Sequence, residues 1–230
     1  SIVNTVSENT GISADKIISI PAGVDLKNFN FNISGEKVRN ELGLSPHQPL
    51  IGIVSVIRSW KGHEHFVDSV PFVLEKFPDA RFAIVGSGPA YESIRDRVKN
   101  QGLEKFIFVL GHRNNIPEIM AALDIHCVAS FGMEGTTQVI PQAIAMKIPT
   151  VSTRMDSILP ILGNGEWGIL VEPENPQDMA NGIMKFLNDP ELARSMAETA
   201  YTFGKKELSL DRMMDNIVTI YHDVLNNSNP

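Results

Sequence analysis

The sequence predicts an α/β fold: a Rossmann-like, doubly wound parallel sheet of about six strands, with helices on both faces. Three observations carry this. Short β-branched runs alternate with segments at helical spacing from Pro49 onward. Those runs are apolar throughout instead of alternating, the mark of strands buried on both faces. The chain has 230 residues, 43% hydrophobic and 20% charged, enough for one substantial core but short of two domains at about 150 residues each.

Residues 1–48 read as a leading strand, Lys16-Ile17-Ile18-Ser19-Ile20-Pro21, and a connector. The domain proper is expected over 49–225. Its first strand is Leu50-Ile51-Gly52-Ile53-Val54-Ser55-Val56-Ile57, followed by a helix whose inner face is marked by Phe66, Val67, Val70, Val73, Leu74 and Phe77. Pro78-Asp79 punctuates, and Arg81-Phe82-Ala83-Ile84-Val85 is the second strand. The cycle repeats as helix 90–101, strand 106–110, helix 115–122, strand 125–129, helix 138–147 and strand 149–152. Pro141 lacks an N–H and is tolerated only in a first turn, which sets that helix start close to Gln138. A short strand at 168–171 and helices near 176–188, 190–204 and 209–225 complete the domain. The expected strand order is 3-2-1-4-5-6. Residues 226–230 read as a frayed tail.

Charge and composition exclude several classes. No stretch approaches the roughly 18 apolar residues of a membrane span. Ser1-Ile2-Val3-Asn4-Thr5 has no basic region before an apolar run, so no signal peptide is expected, and a chain starting at Ser reads as processed or cut from something longer. Cys127 is the only cysteine, which forbids an internal disulfide and makes the cytoplasm the default compartment. The net charge is −7, divided unevenly: residues 1–115 carry 13 basic and 12 acidic side chains, residues 116–230 carry 7 and 15. No basic face for nucleic acid is visible. A polyanion held here should be small, met by a few placed cations and backbone amides.

In such a sheet, ligands bind at the carboxyl ends of the strands, near the point where strand order reverses. Four loops therefore matter: Arg58–Gly62, Gly86–Pro89, Gly111–Asn115 and Phe131–Gln138. Gly86-Ser87-Gly88-Pro89-Ala90-Tyr91 has Tyr91 in place of a third glycine and follows the second strand, which argues against a dinucleotide site. It is either a tight turn or a backbone wall beside a ligand. Arg58-Ser59-Trp60-Lys61-Gly62 puts two cations on the loop after the first strand; loop cations are ordinarily solvated, but here they sit at the ligand edge and suit a diphosphate. The free amides of Gly135, Thr136, Thr137, Gln138 and Val139 open a helix and form an anion cup. Glu134, just before it, is either a cap-region carboxylate worth a few tenths to about 1 kcal/mol or a hydrogen-bonding group. Gln142 lies further along the same helix. His63 and His65 do not share a helix face, so a metal site is not expected. His126 and Cys127 read as core, and His112 ends a strand, in solvent or against a ligand.

These pieces resemble the C-terminal, donor-binding half of GT-B fold glycosyltransferases, specifically glycosyltransferase family 4. Ile20-Pro21-Ala22-Gly23-Val24-Asp25 with Phe29 is similar to its "IPNGVD…F", and Arg58 with Lys61-Gly62 to "R…KG". Ile84-Val85-Gly86-Ser87-Gly88-Pro89 resembles "VGxGP", and Phe108-Val109-Leu110-Gly111 resembles "VxFLG". Glu134-Gly135 through Gln142-Ala143-Ile144-Ala145 and Ile148-Pro149-Thr150-Val151 is similar to "EGFxxxxxEAMAxGxPVV". Gly168-Ile169-Leu170-Val171, then Pro176 and Met179-Ala180, resembles "GxLVxPxDPxxLA". The pieces run in register over nearly the whole chain.

The resemblance implies transfer of a sugar from a UDP-, GDP- or ADP-sugar to a glycan or lipid-linked acceptor, with retention of configuration and no cofactor or metal. Arg58 and Lys61 then match diphosphate binders, Glu134 matches the residue holding donor-sugar hydroxyls, the amides of Gly135 to Thr137 take the diphosphate, and His112 with its neighbours lies near the base. Polysaccharide or lipopolysaccharide assembly is the implied setting, with the complete protein at the cytoplasmic face of a membrane. An N-terminal acceptor domain would precede Ser1, leaving these residues unable to turn over alone. Three departures stand out: Gln142 replaces the second glutamate, the spacing from Arg58 to Lys61 is short, and no Gly-Gly-x-x-Glu occurs in 153–162. Two alternatives are a non-hydrolysing nucleotide-sugar epimerase of the same architecture and a non-catalytic nucleotide-binding domain.

Overall fold

The computed structural model describes residues 2–132, 135 and 137–227. In chain order, α1 (Ile2–Thr10) and α2 (Glu36–Glu41) precede β1 (Leu50–Val54), α3 (His63–Leu74), β2 (Arg81–Val85), α4 (Tyr91–Asn100) and β3 (Ile107–Gly111). Then follow α5 (Ile116–Ala122), β4 (Ile125–Val128), α6 (Val139–Ala145), β5 (Thr150–Thr153), β6 (Ile169–Val171), α7 (Pro176–Asn188), α8 (Pro190–Glu207) and α9 (Leu210–Asn227). The six strands form one sheet in the order β3-β2-β1-β4-β5-β6, and every pairing is parallel. This is the doubly wound order expected from the sequence. Strand order reverses between β1 and β4, so the loops after those two parallel strands diverge and leave a crevice.

The strands are apolar on both sides because each side faces a core. Ile51, Ile53, Phe82 and Ile84 point into one, with Phe66, Val67, Val70 and Val73 of α3, Ile94 and Val98 of α4, and Ile183 and Phe186 of α7. Leu50, Val54, Ala83 and Val85 point into the other, with Val38 of α2, Ile119 and Met120 of α5, and Ala143 of α6. A third cluster seats Ile140 and Ile144 of α6 on Ile158, Leu162, Ala200 and Leu208. Burying each large side chain contributes about 1.5–3 kcal/mol, which is why the period-2 split within each strand is so strictly kept.

Three expectations need correction. The leading strand at 16–21 does not form: Ala14–Lys16 is a 3-10 turn, and Ile18 is 64% exposed. The sheet edges are β3 and β6, and this segment borders neither. Three residues beyond it the chain is tied to the α8–α9 junction: Val24 N donates to Leu208 O at 2.8 Å, and the Val24 carbonyl accepts from Leu210 N at 2.9 Å. The first strand ends not at residue 57 but at Val54, where its partner β2 also ends, at Val85; Ser55 N and Ile57 N still donate beyond it, to Val85 O and Ser87 O. Residues 226–227 continue α9, while the rest of the expected tail lies outside the described residues.

His126, in the centre of β4, is fully buried with no hydrogen-bond partner for either ring nitrogen among the described residues. Burial alone pushes its pKa down to about 4. The neutral ring is therefore favoured by folding, and the unfolded chain takes up its proton first, near pH 6.5. Stability should fall as pH drops from about 6.5 to 4 and level off, for this residue, below that. Denaturant midpoints across this range should fall less steeply for His126→Leu than for the native chain, the gap reaching roughly 2–4 kcal/mol at pH 4. Parallel curves would refute the assignment.

Candidate functional site

The carboxyl ends of β1, β2 and β3 and the start of α6 enclose a cleft of about 300 Å³, lined by Phe29, Ser55, Val56, Gly86, Ser87, His112, Arg113, Ile116, Gln138 and Gln142 among others. A narrow recess adjoins it, sharing Val54, Ser55 and Val139 and adding Lys61, Ser130 and Thr137. A larger cavity of about 500 Å³ lies at the opposite edge of the sheet, beside Pro49, Ile125 and Pro149, where strands begin. Ligand chemistry in this architecture belongs to the carboxyl edge, so the smaller cleft is the candidate.

Lys61 and His63 are aimed by the glycine between them. Gly62 has φ +67, and a Cβ there would stand 1.9 Å from Ala129 O. Only glycine reverses the chain this close to the end of β4. Lys61 thereby lines the recess, while His63 opens α3 at 1% exposure. His63 Nε2 lies 3.1 Å from Ser55 Oγ. Burial, reinforced by the Lys61 charge, pushes the His63 pKa down to about 4, so the ring is neutral at pH 7. The loop carrying Lys61 is pinned to the loop after β4 by Phe131 N donating to Trp60 O at 3.0 Å.

At the other end of the cleft, Gly86 passes against the β1 exit: φ is +141, and a Cβ would meet Ser55 O at 1.9 Å. Its N–H donates to Gly111 O at 2.8 Å, beside a register shift between Ile84 and Val85 that turns the strand ends toward the cleft. His112 faces solvent and the cleft, Nε2 3.0 Å from Asn114 Oδ1. Arg113 is held rigidly, Nη1 and Nη2 on the two Glu41 oxygens at 2.6 and 2.9 Å and Nε on Asn115 Oδ1 at 3.1 Å. That hydrogen bond from Arg113 holds the Glu41 carboxyl below the usual range and raises Arg113.

The fold thus brings Lys61, Gly86, His112, Thr137, Gln138 and Gln142 together. Gln138 caps α6, and Gln142 N donates to Gln138 O one turn on. Arg58 instead extends over the Trp60 ring at 5.1 Å and belongs to neither lining. Gly88 packs on Ile57, and Gly111 ends β3 beneath the cleft. Gly135 is exposed. Glu134 and Thr136 lie outside the described residues. Sequence reading passed over Ser55, Arg113 and Phe29. Ser55 is hidden in a β-branched run that continues three residues past the strand's end at Val54; Arg113 sits in a loop the strand-end rule marks, and Phe29 comes from a segment distant in sequence.

A family model described as "Glycosyl transferases group 1" matches residues 34–203. The chain belongs to the glycosyl transferases of group 1. It is 28% identical over 189 residues to the N-acetyl-alpha-D-glucosaminyl L-malate synthase of Bacillus anthracis, covering 82% of this chain and 49% of that protein. It is also 28% identical over 211 residues to the lipopolysaccharide core biosynthesis mannosyltransferase LpsB of Rhizobium meliloti (strain 1021), covering 88% of this chain and 60% of that one. The chain spans about half the length of the curated relatives it matches. Among solved structures, Anabaena Alr3699/HepE in complex with UDP-glucose is similar, with a TM-score of 0.86 across 95% of this chain and 61% of that one at 23% identity. As a glycosyl transferase of group 1, the chain presents one half of a GT-B fold, the architecture its motifs imply. No helix among the described residues is long and apolar enough to cross a membrane.

Gly62→Ala should lower the unfolding free energy by at least about 1–2 kcal/mol, the left-handed penalty for an L-residue, with the Ala129 clash added. Chemical denaturation measures it. An unchanged midpoint would show that the turn tolerates a side chain and that Lys61 is positioned otherwise.

Proposed function

We propose that this glycosyl transferase domain binds the nucleoside-diphosphate-sugar donor of a retaining transferase that glycosylates a glycan or lipid-linked acceptor in polysaccharide or lipopolysaccharide assembly. The observation that carries it is the shared edge of the two recesses. Lys61 and Thr137 stand in one and His112, Gln138 and Gln142 in the other, joined through Ser55 and Val139. That arrangement fits a ligand whose anionic part lies by Lys61 and whose neutral part extends toward β3. A UDP-glucose complex of a protein with this fold supports the ligand class.

Magnitudes rank the contributors. α6 has only seven residues, and a helix end contributes about 0.3–1 kcal/mol to an anion. A charge-assisted hydrogen bond contributes about 1.5–3 kcal/mol. Lys61 therefore dominates the affinity for the diphosphate and stabilises it as leaving group, while α6 orients it. Glu134, just ahead of α6 in sequence, is assigned the donor-sugar hydroxyls, and Gln142 the ribose. Acceptor chemistry belongs to residues beyond this chain.

Calorimetric titration with UDP, GDP and ADP, each beside its nucleoside, tests this reading. Lys61→Ala should weaken the diphosphate about tenfold to a hundredfold and leave the nucleoside nearly unchanged. Equal small losses for both would return Lys61 to a solvated loop. Gln142→Ala should weaken nucleoside and diphosphate alike, by roughly 0.5–1.5 kcal/mol for one neutral hydrogen bond. A loss confined to the diphosphate would move Gln142 away from the ribose.

A further inference from the structure

His63 is buried one residue past the turn that delivers Lys61, and its Nε2 lies 3.1 Å from Ser55 Oγ. Its Nδ1 meets no hydrogen-bond partner among the described residues. A neutral imidazole carries one proton, on either nitrogen. A proton on Nδ1 would leave a buried N–H with no acceptor, an arrangement folded proteins avoid more strictly than an unfilled acceptor. The proton then belongs on Nε2, donated to Ser55 Oγ. With Nε2 protonated, that nitrogen has no lone pair left to accept the Ser55 hydroxyl hydrogen. Among the described residues the other acceptor near it is Val56 O at 3.4 Å, a marginal distance for an O–H donor. The hydrogen is thus left for the recess that Ser55 lines with Lys61 and Thr137.

We propose that Ser55 is a ligand-binding residue whose hydroxyl donates to an anionic oxygen held beside Lys61, and that His63 is the positioning residue that imposes this polarity through its Nε2–H. The ligand class is the diphosphate of a nucleoside diphosphate, so the inference rests on the reading of the site given above. Polarity matters because a hydroxyl is donor and acceptor alike. Turned the other way, Ser55 would present lone pairs to an anion and repel it. Lys61 supplies charge without direction, whereas a serine donor fixed from behind selects where the oxygen sits.

Two measurements test it. Long-range ¹H–¹⁵N correlation of the labelled protein at pH 7, with His63→Gln identifying the ring signals, should show His63 neutral, protonated at Nε2 and bare at Nδ1. An Nδ1–H tautomer or a doubly protonated ring overturns the proposal. Titration with UDP, GDP and ADP supplies the second readout. For whichever binds, Ser55→Ala and His63→Leu should each weaken the diphosphate about tenfold and spare the nucleoside, and combining them should add little. His63→Gln, whose amide N–H can replace Nε2–H, should stay within about threefold of the native chain. Independent, additive losses, or a Gln variant as weak as the Leu variant, would reduce His63 to a packing residue. Should His63→Leu fail to fold, Ser55→Ala, His63→Gln and the tautomer decide. If none of the three diphosphates binds the native chain, the site reading falls, and the tautomer alone decides the His63–Ser55 geometry.

Discussion

The Gly62 backbone presses on the Ala129 carbonyl so closely that a Cβ would stand 1.9 Å from the oxygen, and the site depends on that contact. β1 and β4 are neighbours at the centre of the sheet, and their chains leave in different directions. Where they part, the Gly62 turn closes the gap from one side and the 129–131 loop from the other, with Phe131 N on Trp60 O as a second tie. Side chains on the two sides of the turn are then sent to opposite fates: Lys61 into the recess, His63 into the interior. A cation and a neutral ring two residues apart are separated by one backbone reversal, and the cation in turn helps keep the ring neutral.

The sheet was legible because burial on both faces writes itself into sequence as unbroken apolar runs. Leu50-Ile51 and Ile53-Val54 could be read as a strand without knowing that their side chains divide between two cores. The same signal misled at Ile17-Ile18. Local β propensity is satisfied only if an open edge is within reach, and that segment joins neither edge strand of the sheet. Propensity has no knowledge of edges. The short helices α1 and α2, nine and six residues long, lacked the repeated period that makes long helices readable.

The site was legible at the level of loops and less so at the level of atoms. Strand-end logic found the loops carrying Lys61, Gly86, His112 and Gln138, because topology alone dictates which ends converge. It could not choose between Arg58 and Lys61, since their fates turn on the Gly62 reversal and on the Trp60 ring that Arg58 covers. Ser55 was missed for a related reason. The strand ends where its partner β2 ends, at Val85, and nothing in the composition of 55–57 announces that. Nothing near Arg113 in sequence reveals its partner: Glu41, 72 residues earlier, closes a two-pronged pair on it.

Cavity size and chemistry part company here, for a reason that lies in the groups on the walls. The cavity of about 500 Å³ at the amino edge is walled partly by Pro46, Pro49, Pro149 and Pro190, which have no N–H to offer a ligand. Its cations are engaged: Lys147 is 2.9 Å from Glu198 and stands over the Phe31 ring at 4.1 Å, and Arg194 is 2.8 Å from Glu191. Asp124 there already accepts from Leu50 N at 2.7 Å and from Arg39 at 3.1 Å. The space exists because strands begin there, not because anything converges on it. At the carboxyl edge the volume is smaller, yet a lysine, a serine hydroxyl with a ring behind it, and two glutamines line two adjoining recesses. In an acidic chain, holding a polyanion requires donors in place more than room.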